Sequence, residues 1–119
     1  MRKVVVLGAS PNAHRYSYQA VERLRNAGFL VTPIGIREGT IRDCRIETHT
    51  RTLYGIDTVT IYLSPENQLE YYQWLMDINP ARIIFNPGAE NDELAQLAVS
   101  RGIIILYECT LVMLATGSF

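Results

Sequence analysis

The turn after the first apolar run of the chain combines small and polar residues that suit phosphate binding: Gly8, Ala9, Ser10, Asn12 and Arg15. Gly8 permits a sharp turn and a close backbone approach, and Arg15 can pair with phosphate oxygens in bidentate fashion. The helix predicted behind the turn, from Tyr16 to Arg25, adds free backbone N–H groups and the positive end of its dipole. A turn this short is also typical of a plain strand-to-helix connection, so by itself it leaves both interpretations open.

The residues around the second predicted strand argue against an ordinary NAD site. The turn lacks the GxGxxG fingerprint, since no further glycine follows Gly8 before the helix. The acidic residue that holds the NAD ribose at the end of the second strand is also missing. Pro33 and Ile34 stand there instead, and Arg37 follows shortly after them. These features favour a ligand with an extra phosphate, such as NADP or coenzyme A.

Further candidate ligand contacts follow the other predicted strands: Ser64, Pro65, Asn86, Gly88, Glu90 and Cys109. Gly88 allows a close backbone approach, while Asn86 and Glu90 offer hydrogen-bonding groups. Residues 86–90 also fit a proline-glycine turn that ends in a helix cap, without any ligand. Cys109 also fits a small residue that is simply buried. No GxSxG motif or Ser–His–Asp pattern indicates a nucleophile, so we assign no catalytic residue.

Composition limits the classes of function. A chain of 119 residues predicts a single domain over residues 1–119, and 11 basic against 12 acidic residues argue against a general nucleic-acid binder. No apolar run is long enough for a membrane span, and no signal-peptide pattern is present, so we expect a cytoplasmic protein. His14 and His49 lack partners at metal-ligand spacing, which argues against a metal site. Cys44 and Cys109 are expected to be reduced thiols.

Five strands are predicted at apolar or β-branched runs: Lys3–Leu7, Phe29–Ile34, Thr58–Leu63, Arg82–Phe85 and Ile103–Tyr107. Helices are predicted at Tyr16–Arg25, from Pro65 until Asn79-Pro80, from a cap at Asn91 or Asp92 to Arg101, and after the last strand from about Thr110 to Ala115. Residues 35 to 57 give no firm pattern, although Arg45–Glu47 can form a short edge strand. The alternation predicts a Rossmann-like three-layer αβα sandwich with a mostly parallel five-stranded sheet. Ligands bind such sheets beyond the carboxyl ends of the strands, where the candidate residues lie.

Helix ends and faces give more local expectations. The inner stripe of the second predicted helix, which begins at Pro65, comprises Leu69, Tyr72, Leu75 and Met76. Ser64 is expected to cap that helix, and Asn91 or Asp92 the next one. Gly28 and Gly102 are expected to end helices in the left-handed conformation.

Taken together, these residues resemble the coenzyme A-binding domain family of single-domain bacterial proteins, whose fold is shared with the N-terminal domain of the succinyl-coenzyme A synthetase α chain. The segments that carry the resemblance are Val6–Asn12, Arg15–Ser17, Val31–Ile34, Pro87–Asn91 and Cys109. The resemblance is weakest from residue 36 to 57. There, Gly35-Ile36 and Arg42–Arg45 replace the Asn-Pro and Gly-x-Pro patterns usual in the family.

The resemblance implies that coenzyme A binds across the strand ends. Gly8, Ala9 and Ser10, with Asn12 and Arg15, would contact the phosphate-bearing nucleotide. Pro33 and Ile34 would line the adenine side, Ser64 and Pro65 the middle, and Asn86, Gly88 and Glu90 the pantetheine arm. If Cys109 faces the thiol end of bound coenzyme A, oxidation is expected to form a mixed disulfide between them. The phosphohistidine of the ligase belongs to a second domain, so ligase activity does not follow for this chain.

Three functional hypotheses remain from the sequence. The preferred one is a small coenzyme A- or acyl-coenzyme A-binding module without catalysis of its own. The alternatives are a small NADP-dependent reductase, supported by Arg37, and a protein-interaction subunit that keeps the fold without a ligand. A partner protein or a homo-oligomer is compatible with all three.

Overall fold

The computed structural model describes all 119 residues and contains seven strands in two sheets. The strands are β1 Lys3–Leu7, β2 Leu30–Ile34, β3 Thr40–Ile41, β4 Cys44–Arg45, β5 Ile56–Ile61, β6 Arg82–Phe85 and β7 Ile104–Tyr107. The main sheet has the order β2-β1-β5-β6-β7, and every pairing in it is parallel. This confirms the predicted Rossmann-like α/β sandwich.

Five α-helices and one 3₁₀ turn connect the strands. They are α1 Tyr16–Asn26, α2 Pro65–Gln68, the 3₁₀ turn Leu69–Tyr71, α3 Tyr72–Ile78, α4 Asp92–Ser100 and α5 Thr110–Thr116. The glycine predictions at Gly28 and Gly102 are confirmed, since their φ angles are +92° and +77°. No helix is long and apolar enough to cross a membrane.

The sheet separates two apolar layers because successive strand residues point to opposite faces. On one face, Val5 and Leu7 of β1 belong to the larger core with Leu75 of α3 and Leu94 of α4. On the other face, Val4 and Val6 pack in a smaller core with Val21 and Leu24 of α1. The central strand β1 is therefore buried on both faces, as its continuous valine run predicts.

The third predicted strand is shifted by two residues. It was expected over Thr58–Leu63, whereas β5 spans Ile56–Ile61. Lys3 pairs with Ile56, and the strand ends at Ile61 opposite Leu7. The shift places Tyr62 and Leu63 beyond the strand, in the loop above the sheet.

The prediction of one continuous helix after Ser64 is wrong. The 3₁₀ turn at Leu69–Tyr71 divides it into α2 and α3. A 3₁₀ turn has fewer residues per turn than an α-helix, so it rotates the apolar stripe. Leu69, expected inside, is 62% exposed, whereas Gln68 is fully buried. Ser64 occupies the N-cap position of α2, but its side chain makes no capping hydrogen bond.

The segment between β2 and β5 forms a small hairpin and an irregular strand. β3 and β4 pair antiparallel, and Glu47 makes one parallel bridge to Ile34. The Glu47 N–H donates to the Pro33 carbonyl at 2.9 Å, and the Gly35 N–H donates to the Glu47 carbonyl at 3.0 Å. The segment thus covers the outer edge of β2 near its carboxyl end.

Candidate functional site

The carboxyl ends of all five parallel strands lie side by side. The register pairs their last residues across the sheet: Ile34, Leu7, Ile61, Phe85 and Tyr107. The residues that follow them therefore form one row: Gly35, Gly8, Tyr62, Asn86 and Glu108. The chain runs from β1 to β2 on one side of β1, and then crosses from β2 to β5 on the other side. The crevice between β1 and β5 is thus the switch point where such sheets bind ligands.

Gly8 makes this crevice narrow. Its φ of +94° lies in the left-handed region, and its N–H donates to the Ile34 carbonyl at 2.8 Å, beside the Ala9 N–H at 2.9 Å. A Cβ atom at Gly8 would lie 3.0 Å from Leu63 Cδ2 and 3.1 Å from the Tyr62 carbonyl carbon. A side chain at Gly8 would therefore press on the loop that forms the opposite wall.

The turn from Ser10 to Arg15 is fixed by its own side chains. The Ser10 hydroxyl accepts from the Asn12 N–H at 3.1 Å, and the Asn12 Oδ1 accepts from the His14 N–H at 3.0 Å. Arg15 is the N-cap of α1, but its side chain makes no capping bond, and no acidic residue lies in the first turn. The N-terminus of α1 therefore presents free N–H groups at an exposed position that carries His14 and Arg15.

The loop after β2 supports this turn through two glycines that were not among the predicted site residues. A Cβ atom on Gly35 would overlap the Ala9 carbonyl oxygen, and one on Gly39 would lie 2.6 Å from Pro11 Cβ. The loop after β2 can pack this closely on the turn after β1 only because both positions are glycine. The glycines were visible in the sequence, but their long-range partners were not.

Asn86 connects three elements at the other side of the crevice. Its side chain is buried; the Nδ2 group donates to Thr60 Oγ1 at 2.6 Å and to the Ile61 carbonyl at 2.9 Å. The Oδ1 atom accepts from the Thr110 N–H at 2.8 Å. This amide is therefore engaged inside the protein, and it anchors the start of α5 beside Cys109.

Gln68, which the sequence analysis did not select, joins the two loops that follow β5 and β6. Its Nε2 group donates to the Leu63 and Ala89 carbonyls, both at 2.8 Å. Its Oε1 atom accepts from Asn91 Nδ2 at 2.9 Å, while Asn91 Oδ1 accepts from the Leu94 N–H and so caps α4 as predicted. This buried polar network fixes the middle of the strand-end row.

The remaining predicted site residues are distributed along the same edge. Pro65 begins α2 next to Ser64, and the Gly88 N–H donates to Glu90 Oε1 at 2.8 Å. Cys109 is half-buried before α5, whereas Arg37 is exposed in the loop after β2. Pro33 and Ile34 are buried, so only the loop after them is available to a ligand. Basic residues thus lie on the β1–β2 side, and the carboxylates Glu90 and Glu108 on the β6–β7 side.

A separate cavity lies away from this crevice. It is an open groove of about 990 Å³ along the outer edge of β2, beside residues 43–54. Its Arg25 donates to Asp43 at 3.0 Å, and its Arg51 donates to Glu47 at 2.6 Å. The Arg25 hydrogen bonds hold the pKa of the Asp43 carboxyl below its usual range. These two guanidinium groups therefore already have carboxylate partners, whereas Lys3 and Arg45 in the same groove have none.

Tyr62 places an unbonded hydroxyl inside the crevice wall. Its phenolic oxygen is buried and has no hydrogen-bond partner. Burial raises the pKa of Tyr62 to about 12, and the nearby Thr110 and Thr60 hydroxyls offset this only in part. The phenol therefore stays protonated in the folded protein well above the pH at which free tyrosine ionises.

This shift predicts a pH-dependent loss of stability. The folded pKa of Tyr62 is raised above the unfolded value near 10, so its contribution is complete below about pH 10 and is lost toward pH 12. The loss attributable to Tyr62 is about 2–3 kcal/mol. Urea unfolding of wild type and Tyr62→Phe at pH 8 to 11.5 measures it. The variant should be at least as stable at pH 8 and should decline less above pH 10. Parallel curves would contradict the assignment.

Comparison with known proteins decides the family. A family model described as "CoA binding domain" matches residues 2–115. The chain belongs to the CoA binding domain family. This confirms the resemblance drawn from the strand-end motifs, and it supports coenzyme A as the ligand of the fold. No curated protein sequence matches the chain.

Solved structures agree with this membership in the CoA binding domain family. The structure of an uncharacterized protein is 42% identical in sequence and superposes with a TM-score of 0.96. The alignment covers 100% of this chain and 98% of the other chain. A hypothetical protein from Pyrococcus horikoshii OT3 shares 20% identity, with a TM-score of 0.83 and coverage of 93% and 80%. A Thermus thermophilus structure shares 15% identity, with a TM-score of 0.84 and coverage of 99% and 90%. The last two show a shared fold.

Proposed function

We propose that this protein binds coenzyme A or an acyl-coenzyme A along the carboxyl edge of its main sheet. The phosphate-bearing nucleotide would lie at the turn from Gly8 to Arg15. The adenine would extend toward the loop after β2, and the pantetheine arm toward Gly88, Glu90 and Cys109. The observation that carries the proposal is the uncapped start of α1 beside the β1–β5 crevice, in a chain of the CoA binding domain family.

The charge distribution supports this orientation. Exposed Arg15 and Arg37 lie on the nucleotide side, beside the carboxylate of Glu38, while Glu90 and Glu108 lie on the opposite side. An anionic phosphate is attracted to the first group and repelled by the second. The uncharged part of a long ligand would then pass the carboxylates. This arrangement favours a ligand with phosphates at one end only, which is the chemistry of coenzyme A.

The protein is proposed to act as a binding module. Asn86 makes its hydrogen bonds within the fold, and Tyr62 is held protonated by burial. His14 lies in the exposed turn, while His49 contacts Thr48 on the other side of β2. None of these groups forms a nucleophile–base pair at the crevice.

Calorimetric titration with coenzyme A, acetyl-coenzyme A, NAD and NADPH tests the proposal. Coenzyme A is expected to bind at micromolar concentration and the nicotinamide cofactors not to bind. Arg15→Glu should weaken coenzyme A binding by at least about tenfold, because it reverses the charge at a proposed phosphate contact. The loss should shrink as salt is added.

Arg23→Glu is the matched control, since Arg23 is exposed near the other end of the same helix. Its affinity should stay within about twofold of wild type. Tight NADPH binding without a response to coenzyme A would instead support the reductase alternative. No response to any nucleotide would favour the interaction subunit.

A further inference from the structure

The larger apolar core leaves one face of the outer strand β2 uncovered. Lys3 and Val5 of β1 pair with Leu30 and Thr32 of β2, so these four side chains share a face of the sheet. Val5 belongs to the larger core, whereas Leu30 and Thr32 do not, and Leu30 is 45% exposed. This face of β2 is the floor of the open groove of about 990 Å³, which lies between β2, β4 and residues 48–54 and is called the β2 groove here.

The strand β4 directs Arg45 over the same face. Glu47 bridges to Ile34, which belongs to the larger core, so the Glu47 side chain lies on the side of that core. Side chains alternate along an extended chain, so Arg45 shares the face with Glu47, while Ile46 points into the smaller core. Lys3 from β1 and Arg45 from β4 therefore both line the β2 groove.

The β2 groove carries an excess of positive charge. Its lining contains four basic and two acidic residues, a net charge of +2 in a chain whose net charge is −1: Lys3, Arg25, Arg45 and Arg51 against Asp43 and Glu47. The Asp43 carboxylate accepts from two nitrogens of Arg25. The Glu47 carboxylate accepts from two nitrogens of Arg51. Both carboxylates are thus neutralised, and the charges of Lys3 and Arg45 remain without an acidic partner.

The segment Thr48–Thr52 adds backbone donors to the lining. None of its five N–H groups donates to another group of the chain. Two carbonyl groups hold this part of the chain in place: the Arg51 carbonyl accepts from Trp74 Nε1 at 2.8 Å, and the Tyr54 carbonyl accepts from Lys3 Nζ at 3.2 Å. The segment is therefore positioned while its N–H groups stay free. Free N–H groups beside basic side chains are the elements from which proteins build anion sites.

We infer that the β2 groove binds a small organic anion that carries at least two phosphate or carboxylate groups. One acidic group lies against Lys3 and another against Arg45, and the free N–H groups of Thr48–Thr52 donate to their oxygens. The volume of about 990 Å³ accommodates a metabolite-sized molecule and not only an inorganic ion. Lys3 begins β1, whereas the proposed nucleotide turn follows the end of that strand, so the two sites are separate.

An amide NMR titration with fructose 1,6-bisphosphate and with citrate tests the inference. The titration uses Arg15→Glu as the parent protein, so that the proposed nucleotide turn attracts anions less. Chemical-shift changes are expected to concentrate at Thr48–Thr52, Lys3 and Arg45. The probe that binds more tightly identifies phosphate or carboxylate as the preferred group. Fructose 6-phosphate should bind at least about tenfold more weakly than the bisphosphate, because it lacks one charged contact.

Arg45→Glu, added to the same parent, should weaken binding by at least about tenfold, because it reverses the charge of an unpaired guanidinium group. Arg101→Glu is the matched control. Arg101 is also an exposed arginine without an ion pair, but it lies outside the β2 groove. This variant changes the net charge equally and should bind within about twofold of the parent. Circular dichroism checks that all variants are folded.

Three results would overturn the inference. Neither probe could shift any amide at millimolar concentration, which shows that the β2 groove holds no such anion. The shifts could be confined to residues 8–15, which places the anion at the nucleotide turn. Finally, Arg45→Glu and Arg101→Glu could weaken binding equally, which assigns the attraction to overall charge and not to the β2 groove.

Discussion

Replacing Asn86 by leucine is expected to lower the free energy of unfolding by about 2–4 kcal/mol. The substitution removes three side-chain hydrogen bonds at a position that is only 2% exposed. The Thr110 N–H is left buried without an acceptor, and an unsatisfied buried group costs more than the net value of a hydrogen bond. Urea unfolding at pH 7 measures the change.

The loss of stability in Asn86→Leu should begin at α5. Thr110 begins α5, and Thr60 Oγ1 lies 2.7 Å from Thr110 Oγ1, so polar groups join the start of α5 to β5 and β6. Hydrogen exchange in Asn86→Leu should therefore increase first in α5. Uniform acceleration across the sheet would contradict this role for Asn86.

Asn67→Leu is the matched control. Asn67 is exposed, and its side chain donates only to Ser64 Oγ, at 3.0 Å. Its substitution should change stability by no more than about 0.5 kcal/mol. If both variants lose the same stability, the effect of Asn86 does not come from its buried network.

The main sheet was predictable because its strands are encoded locally. The run from Val4 to Leu7 reads as a strand buried on both faces, and Gly28 and Gly102 mark helix ends through a backbone conformation that glycine adopts readily. The prediction was wrong for the helix after Ser64, where long-range packing determines which side chains are buried. Gln68 is polar, yet it lies in the interior because two carbonyls and Asn91 satisfy it there. Because Gln68 points into the interior, the next residue, Leu69, is exposed.

In the candidate site, too, some features are encoded locally and others depend on residues distant in the sequence. Gly8 could be selected from the sequence, since it follows a strand and precedes a helix. The need for glycine at Gly35 depends on the Ala9 carbonyl, 26 positions away, and the buried Tyr62 hydroxyl lies near Thr110 of α5. No local pattern contains these partners. The positions proposed to bind a ligand were therefore easier to select from the sequence than the residues that hold them in place.

Gly8→Ala is expected to weaken coenzyme A binding by at least about tenfold and to destabilise the fold. The substitution places an alanine at a φ of +94°, which costs about 1–2 kcal/mol. The new Cβ also meets Leu63 at 3.0 Å and the Tyr62 backbone at 3.1 Å. Relief of that contact pushes the two walls of the crevice apart and adds about 1–3 kcal/mol. Thermal unfolding and calorimetric titration measure the two effects.

Gly28→Ala separates backbone strain from crowding of the crevice. Gly28 has nearly the same φ, +92°, but a Cβ atom there meets no atom within 4 Å. Both variants therefore carry the left-handed strain, and only Gly8→Ala disturbs the strand-end crevice. Gly28→Ala should lose stability and bind coenzyme A like wild type. If Gly8→Ala binds as well as Gly28→Ala, the nucleotide does not lie at the turn after β1. If both lose affinity equally, binding responds to global stability and not to the shape of the crevice.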